Sequence, residues 1–177
     1  IHMPIDLEQF KPAYEKWVEE SMPDFQAGKM AEILKKYPSI IPDDIPWMPY
    51  TGKPSEKAFV LITTAGLYLK DSQPAFDTLS IHGDPSIREI PKAVQQREIG
   101  IAHGHYDHSL VEQDINIIFP IHRLIELENE GIIGKAVDTH YSYSYVNNVA
   151  PLVTEVVPKM ISRIKADGAD VVLLVPV

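Results

Sequence analysis

Two apolar runs of strand length, Ala58-Phe59-Val60-Leu61-Ile62-Thr63 and Val171-Val172-Leu173-Leu174-Val175, constrain the fold of this chain more than any other feature. A strand with one wet face alternates apolar and polar side chains. A strand without that alternation is covered on both faces, as in a parallel sheet between layers of helices. Ala58–Thr63 therefore reads as the first core strand and Val171–Val175 as the fourth, also buried. Between them, Ile99-Gly100-Ile101-Ala102 reads as the second core strand and Gly134-Lys135-Ala136-Val137-Asp138 as the third. Ser86-Ile87-Arg88-Glu89-Ile90 reads as a short edge strand ended by Pro91. Turn-forming and polar residues from Lys70 to Gly83 predict a loop.

Helical patterns separate these strands. Pro120 suits a first helical turn, Ile121, Leu124, Ile125 and Leu127 then fall on one inward face, and Gly131 supplies a left-handed cap. A second helix is predicted from about Asn148 to Asp167, with Pro151 tolerated near its start, Pro158 kinking it and Gly168 closing it. Strand, helix and strand in alternation predict an α/β fold: a mostly parallel, Rossmann-like sheet with right-handed crossovers, flanked by helices.

An N-terminal helical extension precedes it. Asp6 is a plausible N-cap for a helix to Glu20 whose apolar positions are Leu7, Phe10, Tyr14, Trp17 and Val18; a second, shorter helix over Ala27–Tyr37 buries Met30, Ile33, Leu34 and Tyr37. These aromatics read as packing rather than a ligand box. Prolines 38, 42, 46, 49 and 54 make the remainder to residue 56 an extended connection lying over the domain. An alternative is a partner-docking arm anchored by Trp47-Met48-Pro49-Tyr50. The expected division is 4–56 for the helical extension and connection and 57–177 for the α/β domain, with incompleteness at the C-terminus part of that expectation. Ile1-His2 reads as a cloning remnant ahead of a native Met3.

Charge and composition narrow the function classes. A net charge of −9, with no run of Lys or Arg, disfavours nucleic acid and anionic membrane as partners and points to a small molecule or another protein. No window holds the roughly 18 consecutive apolar residues of a membrane span, and the N-terminus lacks a basic segment followed by an apolar one, so the expected location is the cytoplasm. The chain has no Cys, which leaves it without disulfides or thiolate metal ligands of its own.

Ligands of open α/β sheets lie outside the carboxyl ends of the strands. The small residues of Thr64-Ala65-Gly66, the run His103-Gly104-His105-Tyr106-Asp107-His108, His140-Tyr141 and Pro176-Val177 would all fall on that edge. Three of seven histidines and one carboxylate within six positions are groups that bind metal or move protons. Glu112, Gln113, Asp114 and Asn116 follow as potential partners. No glycine-rich phosphate loop follows any strand.

Three readings of the cluster compete. The spacing His103-x-His105-x-Asp107-His108 resembles the HxHxDH motif of metallo-β-lactamase-like zinc hydrolases, where zinc activates water. Only His122 and His140 remain as downstream ligands, and His122 falls on a helix away from the strand-end edge, so no metal is assigned. A hydrogen-bonded loop without chemistry is a second reading.

The third rests on several blocks in order: Gly83-Asp84-x-x-Ile87-Arg88-Glu89-Ile90-Pro91, His103-Gly104-x-Tyr106-Asp107, Asp114-Ile115-Asn116-x-x-Phe119-Pro120-Ile121-x-Arg123-Leu124-x-Glu126-Leu127, and Glu130-Gly131. Together they resemble the selenoprotein B family of glycine, sarcosine, betaine and D-proline reductases, across most of residues 58–177 and not over 4–56.

The resemblance implies an oxidoreductase that cleaves a carbon–nitrogen bond of an amino acid or N-methylated amino acid. It implies a selenocysteine or cysteine nucleophile, a thiol-redox donor, a pyruvoyl-containing partner subunit in several members, and an oligomeric assembly. In the family the redox residue directly follows a strand like Val171–Val175, so selenocysteine or cysteine is expected just after Val177, with this chain truncated before it and inactive alone. The expected catalytic residues are His103, His105 and His140 for proton transfer or orientation, with Asp107 setting a histidine tautomer. Tyr106 and Asp114 are expected to bind substrate or hold the loop, and Thr64 and Gly66 to shape the pocket floor. A non-catalytic binding subunit of a reductase complex is the remaining alternative.

Overall fold

The computed structural model describes residues 6–39 and 48–177. The chain runs α1 (Leu7–Gln26), α2 (Met30–Lys35), β1 (Ala58–Thr63), β2 (Leu67–Leu69), β3 (Arg88–Pro91), β4 (Ile99–Ile101), α3 (Ile121–Asn129), β5 (Lys135–Ala136), β6 (Thr139–Ser142), α4 (Val149–Pro151), a π-helical segment Leu152–Val156, α5 (Val157–Ala166) and β7 (Val171–Val175).

β1 is the centre of the main sheet. Along one edge it pairs in parallel with β7, from Phe59 opposite Val171 to Thr63 opposite Val175. Along its other edge it pairs in parallel with two short strands in line, β5 at its start and β6 at its end. β3 closes that side, antiparallel to β6. Successive side chains of β1 point to opposite faces. Phe59 and Leu61 meet a core built with Ile90, Phe119, Ile121 and Leu124, whereas Val60 and Ile62 meet Met160 and Ile164 of α5. Both faces of β1 are thus covered by helices, and the sheet is mostly parallel, as its apolar run requires.

Several expectations change. Ile99–Ala102 is not a strand of the main sheet: β4 pairs antiparallel with β2 in a separate two-stranded ribbon, Leu67 opposite Ile101 and Leu69 opposite Ile99. Gly100 leaves room for the ring of Tyr68, which lies where a Cβ at Gly100 would stand. The expected third strand over Gly134–Asp138 is two short strands, Lys135–Ala136 and Thr139–Ser142, the second paired with β3.

β7 departs most. It is an edge strand whose side chains are largely open, with Val172 at 44%, Leu173 at 40% and Leu174 at 66% exposure. Apolar character on both faces foretold burial, but β1 covers only one edge of β7, and helices α3 and α5 pack over β1. Because Leu174 loses little contact with the core, Leu174→Lys is expected to change the unfolding free energy by no more than about 0.5 kcal/mol, measured by urea denaturation. A loss several times larger would mean that this side chain is packed.

α1 is capped by Asp6, whose carboxylate accepts the N–H groups of Glu8 and Gln9. It continues past Glu20 to Gln26, through Pro23. Pro12 and Pro23 are both exposed, so the main-chain acceptors they leave unpaired face water. Phe10, Tyr14 and Trp17 are buried, confirming the packing reading, and Ile33 of α2 joins them. Leu34, expected inside, is 59% exposed, since α2 spans fewer residues than its pattern suggested and turns one narrow face inward. The helices dock on the rest of the molecule: the Tyr14 hydroxyl is 2.7 Å from Nδ1 of His82, and the Tyr37 hydroxyl donates to the Asn147 carbonyl. Of the suggested docking arm, Trp47 lies outside the described residues, and Met48 and Tyr50 are exposed.

The long helix expected from Asn148 is broken as Pro158 implies. Asn148 caps its start, a π turn precedes the proline, and Gly168 ends it with a left-handed backbone.

Candidate functional site

The site begins at the turn that ends β1. Gly66 has φ +70, donates its N–H to the Tyr143 carbonyl at 2.9 Å, and accepts the Ala102 N–H at 2.8 Å. A Cβ there would stand 2.4 Å from the Ala102 carbonyl oxygen, so only glycine lets the two backbones meet. Two buried serines complete the junction: Ser142 Oγ accepts the Leu67 N–H at 2.8 Å, and Ser144 Oγ donates to the Ala102 carbonyl at 3.0 Å. The ribbon of β2 and β4 is thereby fixed across the carboxyl ends of β1 and β6, and β4 leads straight into His103.

His103 is buried, with 7% exposure. Its Nδ1 accepts the His105 N–H at 3.3 Å, which places the proton of the neutral ring on Nε2. Burial, followed by the charges of His105 and His108, pushes its pKa down to about 4. The rings form one contiguous group: His103 and Tyr106 have centroids 5.1 Å apart, His103 and His105 5.4 Å, His105 and Tyr145 4.4 Å, and Tyr106 and His108 4.5 Å. Burial lowers the pKa of His105 and raises that of Tyr106 to about 12. The Tyr106 hydroxyl donates to the Ala65 carbonyl at 3.0 Å, tying the cluster back to the turn after β1.

His108 donates from Nε2 to the His103 carbonyl at 2.8 Å, which leaves Nδ1 as its acceptor. Asp107 was expected to set a histidine tautomer. Instead its carboxylate accepts the N–H and hydroxyl of Ser109, both at 2.9 Å, and those bonds hold its pKa below the usual carboxylate range. The main chain of His103 does the tautomer-setting for His108. Asp114 holds the loop, accepting the N–H and side-chain amide of Asn116, whose Oδ1 in turn accepts the His122 N–H.

His140 does not join the cluster. It is fully buried within the sheet, in the gap between β5 and β6 where Leu61 has no main-chain partner on that edge, and its Nδ1 accepts the Leu61 N–H at 3.0 Å. Nε2 has no hydrogen-bond partner. Burial, then the charge of Lys92, pushes its pKa down to about 4. Thr64 lies at the end of β7: its N–H donates to the Val175 carbonyl and its Oγ1 accepts the Val177 N–H at 2.8 Å.

Tyr145 was not singled out from the sequence as a site residue, although its ring covers His105. It is positioned by the block around Gly83. The Asp84 N–H donates to the Tyr145 carbonyl, the Tyr145 hydroxyl donates to the Ser80 carbonyl, and a Cβ at Gly83 would stand 2.4 Å from the Tyr145 carbonyl oxygen. Arg88, buried, ties the same loop together through the Pro74 carbonyl and Ser86 Oγ, with its guanidinium over Phe76. The alternation of buried Ser142 and Ser144 with Tyr143 and Tyr145 was the legible signal.

Among the described residues, no three His, Cys, Asp or Glu side chains converge as a metal site. The zinc-motif spacing folds so that Asp107 turns to Ser109 and His108 to a carbonyl, which leaves the hydrolase reading without a ligand set.

The family model for glycine/sarcosine/betaine reductase selenoprotein B matches residues 44–176. D-proline reductase subunit gamma of Acetoanaerobium sticklandii is 30% identical over 148 residues, 83% of this chain and 58% of that protein. Glycine reductase complex component B subunit gamma of Carboxydothermus hydrogenoformans is 29% identical over 136 residues, 75% of this chain and 31% of that protein. The chain thus spans little more than half of the first relative and under a third of the second. No solved structure matches it. With every strand from β1 to β7 and the whole histidine cluster inside the matched span, the chain belongs to the glycine/sarcosine/betaine reductase selenoprotein B family.

Proposed function

We propose that this chain is part of a reductase subunit that cleaves a carbon–nitrogen bond in a small amino acid or N-methylated amino acid. One observation carries the reading beyond family membership. The end of β7 is bonded to Thr64, and the turn Thr64–Gly66 is bonded to Ala102 and Tyr106, so the position after that strand would fall on the side of the histidine cluster. The family resemblance assigns that position a selenocysteine or cysteine.

The chalcogenide would supply a nucleophile that bonds to the substrate carbon while the C–N electron pair leaves with nitrogen, which takes up a proton as free amine. A thiol donor of the complex would then supply the two electrons that release the reduced carbon, and a pyruvoyl-containing partner subunit is part of the same proposal. The residues of this chain have separable tasks. His103, neutral at pH 7 and carrying its proton on Nε2, is a fixed hydrogen-bond donor that steadies negative charge on the nucleophile or on the substrate. His105, more exposed and with its ring against that of Tyr145, exchanges protons with solvent and serves the leaving amine. Tyr106 and Asp114 hold the loop in place. His140 acts on the sheet and not on the reacting atoms.

In a full-length, selenocysteine- or cysteine-containing enzyme, His103→Ala is expected to lower kcat by about 10²–10⁴-fold in a stopped amine-release assay. Unchanged turnover in a folded variant would remove His103 from the mechanism.

A further inference from the structure

Beside the cluster lies a cavity of about 530 Å³, within the ~300–1,000 Å³ typical of small-molecule sites. Its inner lining is apolar: Ile99, Val111 and Ile115 are each no more than 5% exposed. One wall is β4 with the turn Gln96–Glu98; the other is the segment from His108 to Ile115. Gln96 fastens the two together, donating to the Glu112 carbonyl at 2.9 Å and accepting the Ile115 N–H at 3.2 Å. The walls are therefore held without any ligand.

Around this apolar interior stand two cations. Lys70 donates to the main-chain carbonyl of Arg97 at 3.0 Å, which fixes its ammonium on the turn Gln96–Glu98, and among the described residues Arg97 makes no ion pair and no side-chain hydrogen bond. In a chain of net charge −9, a lining with Lys70, Arg97 and a single carboxylate, Glu112, reverses the sign of the surroundings. An exposed guanidinium and an ammonium on the same lining suit a carboxylate, and Glu112 suits an ammonium on the same molecule. His108 links the cavity to Tyr106 and so to the turn after β1.

We infer that this cavity receives the carboxylate of a small amino acid or N-methylated amino acid, with Arg97 and Lys70 as specificity-determining residues. The inference rests on the reductase reading and adds to it where the substrate enters and which of its groups is recognised.

The test is a methyl-detected NMR titration of the 177-residue protein with glycine betaine, set against choline, which carries the same trimethylammonium group and no carboxylate. Betaine is expected to shift the methyl signals of Ile99, Val111 and Ile115 saturably, and choline to leave them in place. Arg97→Gln, at an exposed position that leaves folding intact, is expected to weaken betaine binding about tenfold, with Lys70→Gln weakening it less. Equal shifts from choline, or an affinity that ignores Arg97, would overturn the assignment. Shifts confined to Tyr145 and His105 would also overturn it while leaving the reductase reading standing. That reading fails separately, through the His103 experiment in the full-length enzyme.

Discussion

Gly66→Ala is expected to destabilise the protein by about 3 kcal/mol or more and to dislodge the histidine cluster at the same time. Two costs combine. A non-glycine residue in the left-handed region costs about 1–2 kcal/mol, and forcing a methyl group into a packed junction costs about 1–3 kcal/mol. Here the obstacle is a carbonyl oxygen 2.4 Å from the added carbon, and backbone yields less readily than a side chain. The Gly66–Ala102 hydrogen bond must lengthen, and with it the attachment of the ribbon that carries His103. Urea denaturation would show the lost stability. The ring signals of His103, His105 and Tyr145 in an NMR spectrum would show the displaced cluster. A variant with unaltered denaturation midpoint and unaltered ring signals would mean that the junction does not depend on this close approach.

His140→Ala is expected to cost about 3–5 kcal/mol, because it opens a cavity inside the sheet and leaves the buried Leu61 N–H without an acceptor. The same residue gives stability a pH dependence of definite sign. A histidine whose folded pKa is about 4, against an unfolded value near 6.5, binds fewer protons folded than unfolded. Its contribution is complete above the unfolded pKa and disappears as the pH falls toward 4. At one pKa unit per 1.36 kcal/mol, the contribution lost over that window is at most about 3 kcal/mol for His140. His103 adds a second slope of the same sign. Stability measured from pH 7 down to 4 should therefore fall less steeply in His140→Gln than in the unsubstituted protein. Parallel curves would show that His140 keeps its ordinary proton affinity in the sheet.

How far these features could be read from the residues depended on the physics behind each. The bounds of β1 are those of its apolar run because parallel neighbours and helices on both faces demand continuous hydrophobicity. The cap at Asp6 and the left-handed glycines 131 and 168 follow from local backbone rules, which need no knowledge of the rest of the molecule. β4 and β7 were less legible for a different reason. Ile99–Ile101 and Val171–Val175 announce that they are strands, but which edge they join, and what covers them, depends on partners far away in the chain. The same limit governs the site. His103, Tyr106 and the turn at Gly66 do come together beyond the end of β1, but His103 is brought there by the separate β2–β4 ribbon and not by a strand of the main sheet. His140 carries equal chemical promise in the sequence, yet the backbone N–H of Leu61, on the adjacent strand and 79 residues away in the chain, claims its Nδ1. Arg97 and Lys70 carry no local signal at all; only the closure of the segment 108–115 by Gln96 turns them into the lining of a cavity.

The position of β1 has a further consequence for how the molecule assembles. β1 is the first strand of the main sheet to be synthesised and the one on which the rest is built. Its bonds to other segments span long stretches of sequence: Leu61 waits for His140, 79 residues on, and Ala58 for Asp170, 112 residues on. Closing such loops must be completed before the contacts they allow can compensate for it, so the rate-limiting step of folding joins distant parts of the chain instead of local turns. During synthesis the apolar β1 remains unpaired until β5 and β6, far along the chain, have been made, and an unpaired apolar strand is an aggregation-prone intermediate.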